Sequence, residues 1–162
     1  MRRRAFLLVA AVASTLLAGC GERVPPLSRL EGSAVVLAFG DSLTYGTGAS
    51  TPESYPAVLE RLIGRKVVAA GIPGEVSATG LERLPEVLEQ TQPKLLILCH
   101  GGNDYLRKLP ETQAAANVRA MVKLARDRGV DVVLLGVPKL GLTAAPAGFY
   151  ADIAREFRIP YD

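Results

Sequence analysis

Histidine and cysteine are scarce in this 162-residue sequence, which has one and two copies respectively. A neighbouring Cys99 and His100 supply too few ligands for a zinc site, and side chains adjacent in a strand point to opposite faces, which argues against a Cys–His dyad. There is no Lys/Arg-rich run after position 20, so the chain carries no electrostatic footprint for nucleic acid. It also lacks a G-x-G-x-x-G phosphate loop: the glycine-bearing turn after the first apolar run reads GDSLTYG, which argues against a nucleotide-binding domain. The apolar stretch AFLLVAAVASTLLAG, residues 5–19, is too short to span a bilayer comfortably. What the chain does have is 49% hydrophobic and 22% charged residues, the composition of one globular domain.

The beginning of the chain reads differently from the rest. Arg2, Arg3 and Arg4 precede the apolar stretch, in the order of charges and apolar residues that a secretory leader uses. That stretch closes on LAGC, residues 17–20, which resembles the bacterial lipobox, where the cysteine is lipidated and becomes the first mature residue. The resemblance implies a leader over 1–19, a lipidated tether over 20–32 with Cys20 as the attachment point, and a folded domain over 33–162. The protein would then sit in the bacterial cell envelope, anchored to a membrane and facing the periplasm or exterior. Without residues 1–19, Lys+Arg falls from 19 to 16, equal to the 16 Asp+Glu, so the net positive charge belongs to the leader. With Cys20 consumed by lipid, Cys99 stands alone in an apolar run. No intrachain disulfide is then available, and Cys99 reads as a buried, inert thiol.

From Ser33 onward short apolar runs alternate with amphipathic stretches. Residues 34–39, 66–72, 94–100 and 130–137 are rich in Val, Ile or Leu and bounded by Gly or Pro, as strands buried on both faces are. Residues 54–64, 80–91, 112–129 and 149–157 carry apolar residues at helical spacing. This alternation predicts an α/β fold, a flavodoxin-like three-layer α/β/α sandwich with a parallel sheet and right-handed crossovers. RIPYD, residues 158–162, reads as the start of one more strand, so the expectation is a domain missing its last strand and helix.

In such sheets function gathers at the carboxyl ends of the strands. Three strand ends carry suggestive residues: GDS at 40–42, GIPGE at 71–75 and GGND at 101–104. Each has a plain alternative, since a serine after a strand is commonly a helix cap, a glycine after proline a turn residue, and an asparagine a loop residue bonding its own backbone. Taken in order, the blocks FGDSLTYG (39–46), AAGIPGEVSATG (69–80) and GGND resemble those of the GDSL or SGNH hydrolase family. The second block departs at Ala69, where relatives often have Asn. The first is not the G-x-S-x-G elbow, because Thr44 stands two residues beyond Ser42.

The resemblance implies the SGNH-hydrolase fold and an acyl-ester hydrolase working through an acyl-serine intermediate. Within that family it points to the arylesterase, thioesterase and lysophospholipase branch. Ser42 would be the nucleophile, and the oxyanion would be held by the N–H groups of Ser42 and Gly74 and the side-chain amide of Asn103. Asp41 would hold the loop. The substrate would be a small acyl ester, and no metal or organic cofactor is implied. The family's base and its orienting acid come from a D-x-x-H block, and this sequence has none: three residues before its one histidine stands Ile97. His100 is the remaining candidate base, against the reading of a strand-end histidine with a satisfied hydrogen bond. The missing pair leaves a second function open, a catalytically inactive membrane-anchored lipoprotein that binds a ligand or partner through the retained pocket.

Overall fold

The computed structural model describes residues 24–139 and 145–162. Cys20 and the leader lie outside the described residues. Among the described residues, no helix is long and apolar enough to cross a membrane.

Among the described residues, four parallel strands form one sheet: β1 (Val35–Gly40), β2 (Lys66–Gly71), β3 (Leu95–Cys99) and β4 (Asp131–Leu134), in the spatial order β2-β1-β3-β4. The two central strands are the continuous apolar ones because both of their faces are covered. Successive side chains go to opposite sides. Leu37, Phe39, Leu96 and Leu98 enter the larger core, while Val36, Leu95 and Ile97 pack with Tyr55, Leu59 and Ile63 on the other face. That second face is covered by α2 (Tyr55–Ile63). The larger core is closed by α3 (Ser77–Thr91), α5 (Glu111–Asp127) and α6 (Gly148–Phe157). The expected flavodoxin-like three-layer α/β/α sandwich is therefore the fold found.

Two short helices follow strand ends, α1 (Ser42–Tyr45) after β1 and α4 (Gly102–Leu106) after β3, and a single 3₁₀ turn covers Thr51–Glu53. None of the three was foreseen from periodicity, which needs more turns than these elements have. Beyond β4 the backbone stays extended. Gly136 N–H donates to the Asp162 carbonyl at 2.7 Å, and Tyr161 bridges Leu134 in parallel. Residues 160–162 thus lie beside β4 as the start of a fifth strand, which RIPYD predicted.

Candidate active site

The carboxyl ends of β1, β2 and β3 are shaped by three glycines, two of which let the main chain approach and one of which makes a turn. A Cβ on Gly40 would collide with the Cys99 carbonyl, and one on Gly71 with backbone atoms of Asp41, Thr44 and Tyr45. Contacts this close are open only to glycine. The third is Gly74, at φ +79°. The stretch Ile72-Pro73-Gly74-Glu75 closes with Glu75 N–H donating to the Ile72 carbonyl at 3.1 Å. Proline second and a left-handed glycine third are what a type II turn requires.

Asp41 caps α1: its Oδ1 accepts from the Leu43 N–H at 3.1 Å, which sets Ser42 as the first helical residue. Its other oxygen, Oδ2, accepts from Asn103 Nδ2 at 3.1 Å. The second hydrogen of that amide goes to the Glu75 carbonyl at 3.0 Å. Asn103 therefore ties all three blocks together. Burial holds the Asp41 carboxyl above its ordinary value, although the Leu43 N–H pulls the other way.

Ser42 is half-buried, and no hydrogen-bond partner of its hydroxyl occurs among the described residues. It opens onto a cavity of about 250 Å³ that Asp41 and Asn103 also line, with Leu43, Tyr105, Leu106 and Val137 as apolar wall. The Tyr105 hydroxyl is buried and has no partner among the described residues. Gly74 does not line this cavity. Its carbonyl accepts from Arg107 Nη2 at 2.7 Å, and it reaches the site through its neighbour Glu75, whose carbonyl Asn103 holds.

His100 is brought elsewhere. Its ring is 0% exposed and is absent from the cavity lining. Nδ1 accepts from the Gly101 N–H at 3.1 Å, and Nε2 lies 3.1 Å from Glu75 Oε2. Glu75 in turn receives two hydrogen bonds from Arg83, at 2.9 and 2.7 Å, while Arg83 stacks on the Phe39 ring at 4.1 Å. Burial alone would raise the Glu75 carboxyl; Arg83 and His100 together hold it below its ordinary value. With both ring nitrogens engaged, His100 offers none to Ser42, which corrects its candidacy as the base. The satisfied strand-end histidine is the arrangement found. Cys99 is buried, its thiol pushed up to about 12 by burial, as befits an unreactive sulfur.

Residues 38–159 match the GDSL-like lipase/acylhydrolase family. The chain belongs to that family. Esterase TesA of Pseudomonas aeruginosa is 35% identical over 127 residues, which are 75% of this chain and 63% of that protein. An arylesterase of Vibrio mimicus is 33% identical over 112 residues, 66% of this chain and 56% of that protein. The thioesterase 1/protease 1/lysophospholipase L1 of Escherichia coli is 31% identical over 139 residues, covering 82% of this chain and 67% of that protein. Among solved structures, the SGNH-hydrolase family esterase AlinE4 superposes with a TM-score of 0.72 at 33% identity, over 82% of this chain and 77% of that one. The chain thus spans about three-fifths of the length of the first two curated relatives.

Sequence reasoning missed one buried residue of the family's third block. Asp104 accepts from the Ser77 N–H at 2.8 Å and from the Ser77 hydroxyl at 2.6 Å, so it caps α3 from across the fold. The D of GGND was the available signal. Its partner, 27 residues earlier, was not legible.

Proposed function

We propose that the protein is an acyl-ester hydrolase in which Ser42 is the nucleophile and the Ser42 N–H group with the Asn103 amide stabilises the oxyanion, the Gly74 turn supporting that amide through the Glu75 carbonyl. The observation that carries this reading is the juxtaposition of Ser42 and the Asn103 amide on one cavity, in a chain of this family. The serine Oγ forms a bond to the ester carbonyl carbon, the bond to the leaving alkoxide breaks, and the serine proton passes to that alkoxide through solvent. Water then attacks the acyl-serine and releases the acid. The Asn103 hydrogen now on Asp41 is the one an oxyanion would take over, and losing such a donor costs about 3 kcal/mol of transition-state stabilisation. An apolar wall of Leu43, Tyr105, Leu106 and Val137 suits a small acyl group. The names of the relatives favour carboxylic esters, thioesters or lysophospholipids as the substrate class.

The engagement of both His100 ring nitrogens favours a second reading, a pocket that binds an ester-like ligand or a partner without turnover. Hydrolysis of a short-chain aryl ester by the chain and by Ser42→Ala separates the two. Turnover that disappears in the variant supports the hydrolase. A folded wild-type chain without serine-dependent turnover, yet binding a short-chain phosphonate, supports the second reading. We also propose a lipid anchor on Cys20 and an envelope location, with LAGC as the support. Cys20→Ser should move the protein from the membrane fraction to the soluble one; equal partition of the two forms would refute the anchor.

A further inference from the structure

We propose that His100 is a positioning residue: through Glu75 it holds the Gly74–Glu75 turn, and hence the Asn103 amide, in place beside Ser42. The kinetic part of its test rests on the hydrolase reading above; the structural part does not.

The Gly101 N–H donates to Nδ1, so that nitrogen must carry the lone pair and Nε2 the proton, which it gives to Glu75 Oε2. The ring packs closely against α3 at Gly80, where a Cβ would run into Nε2, and it sits beside Phe39 at a centroid distance of 5.9 Å. Its own carbonyl is fixed by the Tyr150 hydroxyl at 2.8 Å. The imidazole therefore has one orientation available. Glu75 is the residue on which the turn hinges. Its side chain is fixed by His100 and Arg83, its N–H closes the turn, and its carbonyl takes one of the two Asn103 amide hydrogens. Arg83 donates also to the Ala70 carbonyl, at 3.1 Å, which ties the same cluster to the end of β2. Removing the His100 donor leaves one side of a buried carboxylate without its partner. That frees the turn to shift by the fraction of an ångström on which oxyanion geometry depends.

The test uses the full chain with His100→Leu, which fills much of the space without a donor, and His100→Gln, whose amide nitrogen can still reach Glu75. Far-UV circular dichroism selects folded protein. The inference expects His100→Leu to lower kcat for the aryl ester about tenfold with KM within twofold, and His100→Gln to restore kcat to within about threefold of wild type. It further expects faster hydrogen exchange of the Asn103 side-chain amide in His100→Leu and near-wild-type protection in His100→Gln. Because this is the only histidine, its ring nitrogens are unambiguous by NMR, and the expected signature is protonation at Nε2 and none at Nδ1.

A base would behave differently: both variants would be as inactive as Ser42→Ala, and that result overturns positioning. Unchanged kcat and unchanged Asn103 protection in His100→Leu overturn it as well. If His100→Leu does not fold, His100→Gln decides: loss of Asn103 protection despite a native spectrum refutes the link through Glu75, and retention with the Nε2–H tautomer lost from the wild type refutes the assigned hydrogen bonds. Absence of serine-dependent turnover in the wild type would sink the hydrolase reading alone, and the amide exchange would still decide this one.

Discussion

Asp104→Ala should be among the most damaging single changes outside the apolar core. The Asp104 carboxylate is buried and accepts two hydrogen bonds from Ser77, one from the N–H of the first residue of α3 and one from its hydroxyl. The Ser77 oxygen in turn accepts from Asn117 at 2.9 Å, and Asn117 from Gln113 at 3.0 Å, so the group ends a chain of bonds reaching α5. Hydrogen bonds to a charged partner contribute about 1.5–3 kcal/mol each, and a carboxylate at a helix N-terminus adds a favourable dipole interaction. Allowing for partial rehydration of the cavity, the loss should be about 4 kcal/mol, a large share of the roughly 5–15 kcal/mol that holds a domain folded. With a urea slope of about 2 kcal/mol per molar, the midpoint should fall by about 2 M. Asp104→Asn should lose about half as much. Its oxygen can still serve the Ser77 N–H, but its amide faces an oxygen that must become an acceptor, leaving the serine proton without a partner. The Asp104→Ala, Ser77→Ala double-mutant cycle should show a coupling of about 1–2 kcal/mol. A midpoint shift below about 0.5 M for Asp104→Ala with unchanged slope would refute the view that this contact holds α3 in place.

Glu75→Gln should cost about 2 kcal/mol at pH 7, because one side of its ion pair with Arg83 and its bond to His100 are weakened together. The folded carboxyl lies below its ordinary value of 4.5, so its stabilisation is complete above that pH and is lost as pH falls through the folded value. Urea midpoints of wild type and variant should therefore converge as the pH is taken below the folded value; a gap that stays constant from neutral pH down into the acid range would contradict the assignment. At Gly71, alanine would push its Cβ into the backbone of Asp41, Thr44 and Tyr45, which no rotamer change relieves. Gly71→Ala should lose about 3 kcal/mol, whereas Gly32→Ala, whose Cβ meets nothing within 4 Å, should be near neutral by the same urea titration. Equal midpoints for the two would refute the close-approach argument.

Much of the fold was legible because its signals are local. Four apolar runs between amphipathic ones leave a parallel sheet as the arrangement that buries both faces of β1 and β3, and the periodicity of residues 112–129 and 149–157 located α5 and α6 to within two residues. The boundary of α3 was less legible: the expected start at residue 80 proved to be Ser77, because the cap is supplied by Asp104 and not by Val76 before it. Pro85 lies inside this helix and does not end it, since Leu84 and Leu88 on either side are buried in the core. The blocks around Ser42, Gly74 and Asn103 could be named from sequence because each is short and contiguous. Their meeting through Asp41 and the Glu75 carbonyl needed the tertiary structure, since those bonds join residues 62 and 28 positions apart. The role of His100 depended on it entirely. A lone histidine at a strand end reads alike as a base or as a buried donor, and only the three-dimensional placing of Glu75, Gly80 and Gly101 around the ring distinguishes them. Sequence determined which residues carry polar chemistry and at which strand ends they fall. Folding decided which of them share a cavity, because hydrogen-bond partners are chosen by distances of about 3 Å that chain order does not encode.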